Sequence, residues 1–180
     1  RWLIVAQGVG GPGWWWGENL QYAATVPIRL GMPNKLVLSA HVYGHGNLPY
    51  LHDRSFPANM PAIWDAHFGW VPLYTGAPLI IGEWGGNWEA TEWGYRSFPS
   101  TSAWQLKFRD YLKSKRLSSV YWTLNDNSFK TGSLFRDPHS SEKVAMLSQL
   151  PSTRIVDLQE RWPLPPAPPT PPPPPPSPPP

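Results

Sequence analysis

The sequence predicts an α/β fold built on a parallel sheet, followed by a tail that joins no core. Three observations carry this. Four short apolar runs punctuate the chain, at residues 2–9 (WLIVAQGV), 35–43 (KLVLSAHVY), 78–85 (PLIIGEWG) and 118–126 (SSVYWTLND). Their unbroken apolar character suits strands buried on both faces. The segments between them are long enough for crossover helices, which parallel neighbours require. Fourteen of residues 161–180 are proline, a composition that cannot pack.

Taken in order, the first run leads into a glycine-rich loop that ends in three adjacent tryptophans, Trp14 to Trp16. A weak helix is expected over residues 19–30, interrupted by Pro27, and another over 57–68, interrupted by Pro61. The clearest helix is residues 100–117 (STSAWQLKFRDYLKSKRL): Ser100, Thr101 or Ser102 can cap it, and Trp104, Phe108, Tyr111 and Leu112 share one face. A last short helix is expected over 141–150.

In parallel α/β folds, ligands bind beyond the carboxyl ends of the strands. Each run here ends in polar or aromatic chemistry: Gln7 and the tryptophan loop; His41 and Tyr43; Glu83 and Trp84; Trp122, Asn125 and Asn127. Converging, they would make a site. Taken singly, His41 fits a structural histidine, and Tyr43 and Trp122 fit core packing. Glu83 is different, because a carboxylate among apolar neighbours loses solvation unless something binds it. No catalytic role is assigned to Gln7.

Composition narrows the classes further. The net charge of +3 comes from scattered lysines and arginines, so neither a nucleic-acid nor a membrane footprint is expected. Twelve tryptophans in 180 residues divide between core filling and flat ligand platforms. Without cysteine there is no disulfide or thiol chemistry. No metal or cofactor is expected. Arg1 stands inside a strand-like run without an initiator methionine. The chain is therefore read as the C-terminal piece of something longer, with any signal peptide upstream.

The motifs resemble glycoside hydrolase family 5, the cellulase and endoglucanase family. IIGEWGG (80–86) resembles its seventh-strand nucleophile motif, SAHVY (39–43) its sixth-strand His-x-Tyr, and VYWTLND (120–126) its eighth-strand tryptophan. WWWGENL (14–20) followed by MPNKL (32–36) resembles the loop after the fifth strand, and FPANMPAIWDAHFGW (56–70) matches the bacterial-type subgroup. The resemblance runs from residue 2 to about 150. It implies strands five to eight of a (β/α)₈ barrel, an incomplete half of a fold that takes roughly 250 residues when whole. It also implies a retaining endo-β-1,4-glucanase using two carboxyl groups. Glu83 would be the nucleophile, with Tyr43 as its hydroxyl donor and His41 in the same mouth. Trp122 would form the floor under the cleaved sugar, and Trp15 and Trp16 a platform toward the leaving-group side, one of the three adjacent indoles turning into the core. Trp84, Asn125 and Asn127 complete the expected substrate-binding set. The implied partner is a β-glucan polysaccharide and the implied compartment extracellular.

The family's acid/base motif, Asn-Glu-Pro, does not occur in the chain. Glu18, Glu89 and Glu92 lie in segments expected to be loops, and nothing marks any of them as a substitute. NDNSFKTGS (125–133) departs from the family pattern at Asp126, Phe129 and Lys130. The division expected is a partial catalytic domain over 1–160 and a linker over 161–180, extended as polyproline II, with a carbohydrate-binding module as the expected neighbour beyond it. A P-x-x-P ligand for SH3 or WW domains is the competing reading of the tail. Two other classes also stay open: a non-catalytic carbohydrate-binding pseudoenzyme, and a proline-rich structural cell-wall protein.

Overall fold

The computed structural model describes residues 2–93, 96–98, 100–124, 131–134 and 137–150. Asn125, Asn127 and the proline-rich tail lie outside the described residues. At the centre is a four-stranded parallel sheet, β1 (Ile4–Gln7), β4 (Leu36–Tyr43), β5 (Leu79–Gly85) and β8 (Ser118–Tyr121), in the spatial order β1-β4-β5-β8. These are the four expected runs, trimmed at their ends. Two hairpins were not expected. β2 (Val9–Gly11) pairs antiparallel with β3 (Trp14–Asn19) through a turn at Pro12 and Gly13, and β6 (Thr91–Trp93) pairs with β7 (Arg96–Phe98). Glu18 and Glu92 thus belong to strands rather than loops.

The helix expected over residues 19–30 does not form. Val26 N–H reaches the Tyr22 carbonyl at 2.8 Å and the turn stops there, because Pro27 has no N–H to continue it. Around residues 57–68 the proline expected to interrupt instead begins a helix: Pro61 sits in the first turn of α1 (Met60–Trp64), where its missing N–H is not needed. A π-helical turn, Asp65–Gly69, then passes the chain to α2 (Val71–Thr75). The long helix α3 (Ser102–Lys115) follows the expected pattern, burying Trp104, Phe108, Tyr111 and Leu112 and also Gln105. Thr101 stands at its N-cap, but its hydroxyl donates to the Asn87 carbonyl at 3.0 Å and accepts no backbone N–H of the helix. The last helix, α4 (Ser140–Leu147), buries Lys143 and Met146, the lysine through an ion pair with Asp137 at 2.5 Å.

The core lies between the sheet and its helices. Leu38, Ala40 and Val42 of β4, with Leu79, Ile81 and Trp84 of β5, bury against Trp64, Trp104, Phe108 and Leu112. Aromatic rings dominate it: Trp64 meets Phe108 at 4.6 Å between centroids and Trp104 stacks on Phe108 at 5.0 Å. Trp64, Trp84 and Trp104 are each fully buried, so a share of the tryptophan surplus is core. The opposite face of the sheet carries Ser39, His41, Tyr43 and Glu83, and it is there that the strand ends open on a cleft. No helix among the described residues is long and apolar enough to cross a membrane.

Candidate active site

Side chains alternate across a strand, and strict alternation along β5 would send Glu83 to the helix side with Leu79 and Ile81. It does not go there. Ala40 pairs with Ile81, yet the next residue, His41, pairs with Glu83. On the other edge Ile81 pairs with Ser119 and Trp84 with Tyr121, so β5 again carries one extra residue. This is a β-bulge at Gly82, and a bulge re-aims the side chains that follow it. Glu83 is turned into the cleft, and Trp84 takes its place against the helices. A glycine is required because a Cβ at Gly82 would collide with the Ser39 hydroxyl and meet His41 Nε2 at 3.0 Å.

Trp84 is accordingly a correction to the expected binding set. It has no exposed surface and packs edge-on against Phe108 at 5.3 Å and Tyr121 at 5.0 Å. It holds the strand end rather than a ligand.

Glu83 lies between two neighbours from β4. The Tyr43 hydroxyl donates to Oε1 at 2.5 Å, and His41 Nδ1 stands 3.6 Å from Oε2. Burial first, then the hydrogen bond to Glu83 and its charge, push the Tyr43 phenol far above its ordinary range. Tyr43 is therefore a neutral donor. Tyr43 in turn rests against Trp15, with centroids 5.2 Å apart.

Trp122 follows β8 directly, tied to the end of β5 by its N–H to the Trp84 carbonyl at 2.7 Å. Its ring is 44% exposed, which suits a surface offered to a ligand. The cleft encloses about 440 Å³ and is lined by Gln7, Trp15, Trp16, His41, Tyr43, Glu83, Trp122 and Thr131. The structure thus brings together His41, Tyr43, Glu83, Trp15, Trp16 and Trp122. Of the three adjacent tryptophans, Trp14 is the one that turns away, its ring 4.0 Å from that of His67. A second groove of about 310 Å³ continues past the hairpin, lined by Trp14, Trp15, Trp16, Asn47 and Leu48 among others.

Gln7 and Thr131 line the cleft although neither was given a role from sequence. Gln7 was marked by its place at a strand end, though without a catalytic role; Thr131 had no such signal. Glu18 is not in the cleft. It is 2% exposed and accepts hydrogen bonds from Trp15 N–H and the Tyr50 hydroxyl while pairing with His67. Glu89 is exposed on a loop and pairs with His139. Among the described residues lining the cleft, Glu83 is the only carboxylate. Nor, among the described residues, do three histidine or acidic side chains converge as metal ligands would.

A cleft with indole walls and one hydrogen-bonded carboxylate suits the flat C–H faces and hydroxyl edges of a pyranose chain. It opens at the carboxyl ends of a parallel sheet in an α/β fold. Comparison with known proteins narrows the class: the model of the cellulase family, glycosyl hydrolase family 5, matches residues 1–128, and the chain belongs to that family. The family, by its name, is one of glycosyl hydrolases. It is 38% identical over 145 residues to an endoglucanase of Paenibacillus polymyxa, covering 76% of this chain and 35% of that one. To the major extracellular endoglucanase of Xanthomonas campestris it is 35% identical over 164 residues, covering 83% and 32%. An endocellulase of Pyrococcus horikoshii solved as a complex with cellotetraose superposes with a TM-score of 0.69 at 32% identity, over 83% of this chain and 43% of that one. The chain thus spans about a third of the length of these curated relatives.

Proposed function

We propose that this chain carries the nucleophile side of a retaining endo-β-1,4-glucanase acting on β-glucan, with Glu83 as the nucleophile. The observation that carries the reading is the Tyr43 hydroxyl held on Glu83 Oε1 at 2.5 Å, at the point where a bulge delivers that carboxylate into an indole-walled cleft. A retaining enzyme needs a carboxylate that attacks the anomeric carbon and leaves again. A neutral phenol on one oxygen fixes the carboxylate's orientation and leaves the other free for attack. The oxygen facing His41 is then the attacking one. Trp122 forms the floor under the sugar being cleaved, and Trp15 and Trp16 extend the platform beyond it.

The reaction divides into two balanced steps. The Glu83 oxygen forms a bond to C1 as the C1–O bond to the leaving sugar breaks, and the departing sugar oxygen takes a proton from a general acid. Water then attacks C1, the ester to Glu83 breaks, and the acid regains its proton from that water. No described residue of the cleft supplies this acid, and Glu18 is engaged by three partners away from it. We assign the acid to a second half of the barrel that completes the open sheet. The exposed apolar residues on and before the edge strand β1, from Trp2 to Val5, support that reading, because such a surface is usually covered. The extracellular compartment of the Xanthomonas relative supports secretion, and residues 161–180 then serve as a linker.

The test is turnover on soluble β-glucan by the protein that carries this chain. Glu83→Gln should lower kcat by several orders of magnitude while leaving oligosaccharide binding nearly intact. Normal turnover in that variant would refute the assignment. Binding of cello-oligosaccharide with no turnover in the unsubstituted protein would favour the carbohydrate-binding reading instead.

A further inference from the structure

Glu18 is a buried carboxylate, 2% exposed, and the chemistry at Glu83 does not use it. Removing a carboxylate from water is costly unless its oxygens are hydrogen-bonded. Here they are fully engaged: Oε2 accepts Trp15 N–H at 2.9 Å and the Tyr50 hydroxyl at 3.2 Å, and Oε1 lies 2.8 Å from His67 Nδ1. The three partners come from separate segments, namely β3, the 3-10 turn Pro49–Leu51 and the π-helical turn Asp65–Gly69. A buried charge pair is weak evidence for stability, whereas the three hydrogen bonds on Glu18 tie these segments to one point.

The geometry fixed is that of Trp15. The β2–β3 ladder registers Val9 with Asn19 and Gly11 with Trp14, and its register shifts between those two pairs. Trp15 N–H donates instead to Glu18 three residues on, and Gly17 between them adopts φ 87, a conformation glycine accepts without strain. This short loop back along one strand splits the tryptophan triplet. Trp14 goes to His67, itself held by Glu18, at 4.0 Å, whereas Trp15 goes to Tyr43 at 5.2 Å and His45 at 4.9 Å. Trp16 stays 78% exposed.

We propose that Glu18, with His67, is a positioning residue that sets the Trp15 indole against Tyr43, and so aligns the oligosaccharide platform with Glu83. The ligand in this proposal rests on the glucanase reading; the positioning itself does not. The experiment therefore has two independent readouts on Glu18→Ala, Glu18→Gln and Trp15→Ala. The first is NMR: contacts from the Trp15 indole to the Tyr43 and His45 rings, with hydrogen exchange of the Trp15 amide. The second is titration with cellotetraose.

Glu18→Ala should lose the ring contacts and expose the Trp15 amide, whereas Glu18→Gln, which keeps an acceptor for that N–H, should retain both. Cellotetraose binding should weaken about ten-fold in Glu18→Ala, matching Trp15→Ala, and stay within about two-fold in Glu18→Gln. Unchanged ring contacts and amide protection in Glu18→Ala would overturn the proposal. So would a Trp15 amide that exchanges freely in the unsubstituted protein, a measurement that decides the matter even if Glu18→Ala does not fold. If the NMR contacts follow the expectation while the unsubstituted protein binds no cellotetraose, the positioning stands and the glucanase reading falls.

Discussion

The Tyr43 hydroxyl donates to Glu83 Oε1 at 2.5 Å across two adjacent parallel strands, both residues lying just past the extra residue in β5. Two side chains of different strands meet because the bulge at Gly82 and the pairing of His41 with Glu83 bring them to the same face.

Tyr43→Phe keeps the ring against Trp15 and removes only the O–H. A hydrogen bond to a charged group is worth about 1.5–3 kcal/mol, so kcat on soluble β-glucan should fall by about ten- to a hundred-fold. The thermal midpoint should fall by a few degrees as well, because the same bond is lost from the resting fold. A variant with unchanged kcat would mean that the carboxylate is oriented by something else.

Gly82→Ala should damage stability and turnover together. The added methyl collides with the Ser39 hydroxyl and the His41 ring, and overpacking of this kind costs about 1–3 kcal/mol. Denaturant melts measure the first effect and steady-state kinetics the second. A fully stable, fully active Gly82→Ala protein would contradict the bulge as the device that aims Glu83.

The tryptophans should separate by burial. Trp84→Ala empties a fully buried site and should cost about 3–5 kcal/mol of stability. Trp16→Ala, with its ring 78% exposed, should leave stability within about 0.5 kcal/mol and weaken oligosaccharide binding. Trp122→Ala should lower kcat/KM more than it lowers stability. Melting curves and oligosaccharide titrations of the three variants check this ordering.

His139 provides a pH-dependent tie. Loss of solvation lowers its pKa, but the Glu142 and Glu89 carboxylates, at 3.4 Å and 3.2 Å, outweigh that and raise it above the ordinary histidine value of 6.5. A raised folded value means that the tie is complete below the unfolded pKa and is lost as pH rises through the folded one. NMR titration should show the His139 ring titrating above about 6.5, and Glu89→Gln should lower the midpoint. A midpoint at or below the ordinary value would contradict the tie.

The parallel sheet was legible because its strands are apolar runs with a long connection between each one and the next. The long helix was legible from Trp104, Phe108, Tyr111 and Leu112 on one face. Position at a strand end also marked His41, Tyr43, Glu83 and Trp122. The side on which a strand-end residue emerges was not legible without the bulge: simple alternation would have sent Glu83 to the core and Trp84 to the cleft. Gly82 inside an apolar run was the available signal, since an isolated strand glycine marks a bulge. The β2–β3 hairpin was hidden because Gly10, Gly11 and Gly13 read as a loop and neither arm is an alternating apolar run, although the pairing is local. Glu18 read as a loop acid because its partners, Tyr50 and His67, are distant in sequence.

The most direct measurement of the central claim is to trap the glycosyl intermediate with a 2-deoxy-2-fluoro cello-oligosaccharide carrying a good leaving group, and to map the adduct by peptide mass spectrometry. The account predicts a single ester on Glu83, with loss of turnover in proportion to labelling. An adduct on another carboxylate, or continued turnover of natural substrate by fully labelled Glu83, would contradict it.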